Sequence, residues 1–246
     1  MSIIEIPVPG GSADAYLARP DDAEHPGVIF FIDAIGLRPQ IEEMVQRIAD
    51  WGYVVMAPNL FHRLGTAAEL APEGDLREPG AREGFMSTLG PRVQMTNEQI
   101  EADVVAYVDA LRALPGVAAG PIGVTGYCMG SRFAMKAAGL RPDDVRAVGA
   151  FHGGRLVTDD PGSPHLSVAH SRAEYLMRHA DNDASMDADA IAALGRTFEE
   201  AGVTASNDLY AGAPHGYTMA DTSMYDERAA ELHFEELRAL LDRMLR

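Results

Sequence analysis

The chain has 246 residues, of which 47% are apolar and 23% charged, and its 37 acidic residues outnumber 20 basic ones to give a net charge of −17 at pH 7. These figures exclude a disordered chain, a collagen and a coiled coil, and the negative charge makes nucleic acids and anionic membranes poor partners. The length predicts one domain over residues 1–246, with room for a large core.

A hairpin is predicted at the N-terminus, with strands at 3–8 and 14–18 around a Pro-Gly-Gly-Ser turn. Residues 27–32 are wholly apolar, as expected of a strand that is buried on both faces. A helix over 39–51 follows, because Pro39 suits a first helical position and apolar residues then recur at helical spacing. The next buried strand is predicted at 53–57.

Residues 58–95 interrupt this alternation, because they are rich in Gly, Pro and Glu and have weak periodicity; a lid-like excursion over the sheet is predicted. A capping box at Thr96 and Gln99 then opens a helix. The pattern predicts a mostly parallel, twisted sheet of about eight strands with helices on both faces, which binds ligands at the carboxyl ends of its strands. The remaining strands are predicted at 122–125, 147–151, 175–179 and 204–211, and the remaining helices at 129–140, 187–201 and 225–245.

The strongest local motif is Gly-Tyr-Cys-Met-Gly at residues 126–130, between a buried strand and a helix. This is the context of a nucleophile elbow, in which glycines allow a sharp, strained turn and the helix N-terminus favours a thiolate at Cys128. The N–H group of Met129 is then one oxyanion donor. The alternative is a buried cysteine between two chance glycines.

A base and an acid are expected downstream of the nucleophile, in the chain order nucleophile, acid, histidine. His215 lies between the last strand and the last helix, and Asp183 follows the preceding strand, with Asp181 as the alternative acid. His152 also follows a strand, and we predict that it lines the pocket rather than acting as the base.

The second oxyanion donor is expected in the loop at residues 33–36, where the Ala34 amide is the candidate. Asp33 either caps this turn or takes part in catalysis. The sequence has no His-Glu-x-x-His motif, no pair of cysteines and no glycine-rich nucleotide-binding motif, so neither a metal nor a cofactor is predicted.

With these motifs the chain resembles the dienelactone hydrolase family (carboxymethylenebutenolidase-like α/β-hydrolases) over essentially its whole length. The resemblance implies an α/β-hydrolase fold and a triad of Cys128, Asp183 and His215. It is carried by residues 33–36, 57–61, 126–130, 182–183 and 215–217.

The resemblance also implies how a substrate is held. The family has a glutamate where this chain has Asp33, and its type enzyme binds a substrate carboxylate with two arginines. Met219 occupies the position of one of these arginines, which implies a substrate preference other than dienelactone. The candidate supporting or substrate-binding residues are therefore Asp33, Arg38, Arg77, Arg82, Tyr127, His152 and Met219.

Together these residues predict a cysteine-nucleophile hydrolase that cleaves an ester, lactone or related activated acyl bond of a small molecule through an acyl-thioenzyme. A non-catalytic ligand-binding or regulatory protein on the same scaffold is the alternative. A redox-sensing thiol is disfavoured, because no second cysteine can resolve an oxidised one. With no secretion signal and no long apolar run in the sequence, we expect a cytoplasmic monomer or small homo-oligomer.

Overall fold

The computed structural model describes the backbone of residues 1–246 and every side chain except those of Pro91 and Val93. One eight-stranded sheet has the order β1-β2-β4-β3-β5-β6-β7-β8, in which β2 pairs antiparallel with both β1 and β4 and every other pair of neighbours is parallel. The predicted mostly parallel sheet is therefore confirmed. The strands are β1 (Ser2–Val8), β2 (Gly11–Ala18), β3 (Gly27–Phe31), β4 (Val54–Pro58), β5 (Ile122–Tyr127), β6 (Val145–Phe151), β7 (Glu174–Ala180) and β8 (Ala205–Tyr210).

The helices cover the sheet because each long one has an apolar face. In α1, for example, Ile41, Met44 and Val45 are buried, and the helix starts with proline at a first-turn position, where the missing N–H costs nothing. The capping box predicted at the start of α4 is present. The α-helices are α1 (Pro39–Ala49), α2 (Ala67–Leu70), α3 (Ala81–Met86), α4 (Asn97–Ala113), α5 (Gly130–Leu140), α6 (Ala188–Ala201) and α7 (Glu227–Leu245).

Two segments differ from the sequence-based expectation. The N-terminal hairpin is tighter than predicted, because pairing continues to Val8 and Gly11 and only Pro9 and Gly10 form the turn, with a positive φ at Gly10. The excursion at 58–95 contains the short helices α2 and α3, which have too few residues to be recognised from periodicity. A long connection between β6 and β7 also carries a 3₁₀ helix at Pro164–His170.

The strands that matter for function lie in the parallel part of the sheet. β3, β4 and β5 are buried at every position and are neighbours in the middle of the sheet. Because parallel strands end at the same edge of a sheet, the residues that follow β3, β5, β6, β7 and β8 meet there. This edge carries Asp33, Cys128, His152, Asp183 and His215.

Candidate functional site

Cys128 lies on a strained turn between β5 and α5, with φ of +53°, a left-handed conformation that is uncommon outside glycine. The two glycines of the motif are required by close packing. A Cβ atom at Gly126 would lie 2.4 Å from the Gly130 carbonyl oxygen, and one at Gly130 would lie 2.2 Å from the carbonyl oxygen of Phe31 on β3. The motif therefore has the geometry of a nucleophile elbow, with Cys128 partly exposed above the sheet.

His215 and Asp183 complete a cluster with Cys128. The Nδ1 atom of His215 is 2.5 Å from Oδ2 of Asp183, and His215 lines the same pocket as Cys128. The alternative acid, Asp181, instead accepts a hydrogen bond from the backbone N–H of Gly212 at 2.8 Å. Asp183 is thus the carboxylate that contacts the histidine.

The charges in this cluster stabilise one another. Burial lowers the pKa of His215, but the charge of a Cys128 thiolate and the hydrogen bond to Asp183 outweigh it and raise this pKa to about 10. Burial raises the pKa of Asp183, but His215 and the hydroxyl and amide of Ser185 lower it to about 2. As long as Cys128 is ionised, the histidine is an imidazolium held between two anions.

Ser185 was not recognised from the sequence. Its Oγ donates to Oδ1 of Asp183 at 2.7 Å and its backbone N–H donates to the same oxygen at 2.9 Å. These bonds leave Oδ2 for His215. A serine two residues after an aspartate, directly beyond a strand, is the local sequence signal that could have indicated this turn.

Charged side chains bond to both the N–H groups and the carbonyl groups of the loop after β3. Asp33 Oδ1 accepts from the Ile35 and Gly36 amides at 3.1 and 3.3 Å, which is the capping arrangement considered from the sequence. Buried Arg92, from the excursion, donates to the carbonyl oxygens of Ala34 and Ile35. Arg92 carried no local sequence signal, because its contact depends on the path of the excursion.

Two backbone N–H groups are left free beside Cys128. In the described residues, the amides of Ala34 and Met129 donate to no protein acceptor, although both residues are buried. Because buried N–H groups are nearly always paired, these two amides beside Cys128 are available to an acceptor atom of a bound molecule.

Arg38 does not present a free charge to the pocket. Its guanidinium donates to both oxygens of Asp33, at 2.8 and 3.0 Å, and to both oxygens of Asp221, at 2.5 and 3.2 Å. It also contacts Sδ of Met219 at 3.3 Å. Asp33 and Met219, which line the pocket of Cys128, are therefore tied to Arg38 behind it.

The pocket at Cys128 is narrow, with a volume of about 30 Å³. Of the two excursion arginines considered from the sequence, Arg82 lines this pocket, whereas Arg77 is exposed and pairs with Asp75 at 2.8 Å. Tyr127 does not line it; its ring stacks on Phe30 in the core. The lining residues are Asp33, Ala34, Ile35, Arg82, Met86, Cys128, His152, His215, Gly216, Met219 and Thr222.

His152 lies at the floor of this pocket and is fully buried. Its Nε2 pairs with Thr218 Oγ1 at 2.7 Å, and its ring meets that of His215 edge to face with centroids 5.3 Å apart. Burial, followed by repulsion from His215 and His233, holds the pKa of His152 well below its usual value, so the ring is neutral. It contacts Asp183 through no hydrogen bond in the described part of the chain, so only His215 is placed as a charged partner of Cys128.

The described residues contain neither a metal-binding cluster nor a membrane-spanning helix. No group of three or more His, Cys, Asp or Glu side chains is arranged to hold a metal ion there. Nor does any helix within those residues have the length and apolar character needed to cross a membrane.

Comparison with known proteins places this arrangement in a family. Residues 13–245 match the model of the dienelactone hydrolase family. A carboxymethylenebutenolidase from Rhodococcus opacus is 25% identical over 95% of this chain and 86% of its own length. A solved structure from Klebsiella pneumoniae, provisionally assigned as a dienelactone hydrolase, is 25% identical with a TM-score of 0.79 and covers 98% of both chains.

More distant structures share the fold alone. An acylaminoacyl peptidase from Pyrococcus horikoshii has a TM-score of 0.70 at 15% identity, over 99% of this chain and 41% of its own. The sheet order, the elbow after β5 and the family match over almost the whole chain agree with one another. The chain therefore belongs to the dienelactone hydrolase family, has the α/β-hydrolase fold and is a hydrolase of the ester and lactone type.

Proposed function

We propose that the protein cleaves an ester, lactone or related activated acyl bond through a covalent acyl-thioenzyme on Cys128, with His215 and Asp183 as its proton-transfer pair. The observation that carries the proposal is the 2.5 Å contact between His215 and Asp183 beside a cysteine held at a strained elbow. A structural cysteine needs neither the strained backbone nor a charged histidine beside it.

In the first half-reaction the Cys128 thiolate attacks the carbonyl carbon, and the carbonyl oxygen becomes an oxyanion that accepts from the amides of Ala34 and Met129. The C–O bond to the leaving group then breaks, and the protonated His215 transfers its proton to the departing oxygen. An ester releases its alcohol at this point, whereas a lactone opens to a hydroxyl or enol that stays attached to the acyl group. In both cases the acyl group remains on Cys128 as a thioester.

In the second half-reaction His215 acts as a base. Once Cys128 is acylated, the negative charge that raised the pKa of His215 is gone, while burial still lowers it. The neutral imidazole takes a proton from water, and the resulting hydroxide adds to the thioester carbonyl. Collapse of this intermediate releases the carboxylic acid and restores the thiolate with a protonated His215. Asp183 holds the imidazole in position through both steps.

We further propose that the preferred substrate differs from dienelactone. Of the arginines considered from the sequence, only Arg82 lines the pocket, since Arg38 is bonded to Asp33 and Asp221 and Arg77 to Asp75. Met219, at the position of the family's second carboxylate-binding arginine, is buried.

The test is hydrolysis of short-chain activated esters and unsaturated lactones by the wild-type protein and by Cys128→Ala, with intact-mass analysis of the protein. We expect turnover only by the wild type and an acyl adduct that maps to Cys128. Turnover by Cys128→Ala at the wild-type rate would contradict the proposed nucleophile. Absence of both turnover and adduct across the panel would favour a ligand-binding protein on the same scaffold.

A further inference from the structure

A second, larger pocket lies next to the site, between α4, α5 and the connection that follows β6. Its volume is about 620 Å³, against about 30 Å³ for the pocket at Cys128. In the described part of the chain the two pockets share no lining residue. Its walls are the first turn of α4 at Thr96, the side chain of Arg132 on α5, Arg155, and the loop at 158–164.

The two arginines in this pocket are bonded to no acidic side chain among the described residues. Neither Arg132 nor Arg155 forms an ion pair or a side-chain hydrogen bond with any residue whose side chain the structure describes, and the Nε atom of Arg132 is buried without a partner. A buried, unpaired guanidinium N–H is costly, and most arginines of this acidic protein are paired. An external acceptor would satisfy it.

The acidic residues that line the pocket are already bonded to other groups. Asp160 accepts from Asn97 Nδ2 at 2.8 Å and from the Gly162 amide at 2.7 Å. Glu101 pairs with Lys136 at 2.9 Å, and Glu98 is held at the helix cap, where its contacts with its own amide and with Thr96 lower its pKa. These carboxylates face the arginines across the pocket without direct contact.

The pocket also adjoins the groups that carry the chemistry. Arg132 is the third residue of α5, which begins two residues after Cys128. The backbone N–H of Arg155 donates to the Ser185 carbonyl oxygen at 2.7 Å, and Ser185 in turn holds Asp183. A Cβ atom on the preceding Gly154 would lie 3.8 Å from Cε1 of His215. The larger pocket therefore lies beside Cys128 and His215.

We propose that Arg132 and Arg155 bind a negatively charged group, a carboxylate or a phosphate, on the part of the substrate remote from its reacting carbonyl. This inference rests on the proposed function of Cys128. Arginine suits such a group because its planar fork matches two oxygens at once. A protein with a net charge of −17 repels small anions at long range, so local capture by arginine is what allows an anionic substrate to bind.

The test compares two esters of equal acyl length: the 4-nitrophenyl half-ester of glutaric acid, which ends in a carboxylate, and neutral 4-nitrophenyl valerate. For Arg132→Gln and for Arg155→Gln we expect KM for the half-ester to rise about tenfold to a hundredfold, the range of one lost charge-assisted hydrogen bond. The KM for valerate should change less than twofold. Arg196→Gln, on the exposed face of α6, removes the same charge elsewhere and should change neither.

Equal changes for the two esters, or the same change in Arg196→Gln, would overturn the proposal. If Arg132→Gln does not fold, Arg155→Gln still tests the subsite, because Arg155 is exposed. Inhibition of the wild type by succinate and by inorganic phosphate then separates the two anions. The anion that inhibits more strongly, and whose inhibition is weaker in Arg155→Gln, identifies the bound group. If neither anion inhibits the wild type, the subsite is contradicted.

The failure of the subsite can be distinguished from the failure of the proposed function. If the wild type hydrolyses neither ester, the half-ester is titrated calorimetrically into Cys128→Ala, with and without Arg132→Gln. Binding that requires Arg132 supports the subsite even though the proposed chemistry has failed. The absence of binding, or binding of equal strength to both proteins, refutes the subsite itself.

Discussion

Replacing Arg38 with methionine is expected to destabilise the protein by about 3–5 kcal/mol, because the change leaves a buried carboxylate without its cation. The Arg38 side chain is 2% exposed and that of Asp33 5% exposed, so both are largely shielded from water. Burial lowers the pKa of Arg38, but Asp33 and Asp221 raise it above its ordinary value, so the guanidinium stays charged.

The structure predicts an asymmetry between the partners. Without Arg38, Asp33 keeps only the Ile35 and Gly36 amides as donors among the described residues. Arg92 is close enough to attract its charge, but donates to the Ala34 and Ile35 carbonyl oxygens instead of to this carboxylate. Asp221 is 31% exposed and can be solvated, so it adds little to the loss. In Asp33→Asn, by contrast, Arg38 keeps both bonds to Asp221, and we expect a loss of about 1–2 kcal/mol.

The assay is urea unfolding at pH 7 of the wild type, Arg38→Met, Asp33→Asn and the double variant. The double variant has no unpaired charge at position 33. Its loss of unfolding free energy should therefore be smaller than the sum of the losses of the two single variants by at least ~1 kcal/mol. Arg172→Met, which breaks the exposed pair with Asp143, is the control and should cost at most about 1 kcal/mol. Strictly additive losses, or a cost for Arg38→Met as small as that of the control, would refute the reasoning.

Three other predictions concern the site. Gly130→Ala should lower the free energy of unfolding by about 3 kcal/mol or more in urea titrations, because its Cβ would overlap backbone oxygens of β3, whereas Gly84→Ala, with open space around it, should not destabilise the protein. Cys128→Ala should lower the pKa of His215, measured by NMR, to below about 10, since a neighbouring negative charge is lost. An unchanged pKa would show that the charge of Cys128 does not keep His215 protonated. Arg92→Met should loosen the loop at residues 33–36, which carries the proposed oxyanion donor Ala34, and lower kcat about tenfold to a hundredfold with little change in KM; a rise in KM alone would mean that this arginine binds substrate instead.

Much of the fold follows from local patterns in the sequence. Apolar runs of five or six residues identify strands buried on both faces, and a proline or a capping box marks where a helix begins, so β3, β4, α1 and α4 could be predicted. The short helices of the excursion could not, since four to six residues provide too little periodicity.

The cluster at Cys128 was also predictable, for a reason that lies in the topology. Parallel strands end at one edge, so polar residues directly after β5, β7 and β8 converge there whatever the helices do. Chain order then separates His215 from the other histidines. The choice between Asp183 and Asp181 needed the structure, because two aspartates two positions apart on a turn reach different partners, His215 and the Gly212 amide.

The sequence by itself therefore determined the sheet, the elbow and the identity of the charged groups near Cys128. Only the tertiary structure decided which charges are neutralised, because ion pairs join residues far apart in the chain: Arg38 meets Asp221 across 183 positions. Arg38 is also bonded to Asp33, and the exposed Arg77 is bonded to Asp75. Arg82 and Arg132, in contrast, have no acidic partner among the described residues. An arginine is identified by its sequence, but its availability to a substrate depends on which carboxylates folding brings within reach.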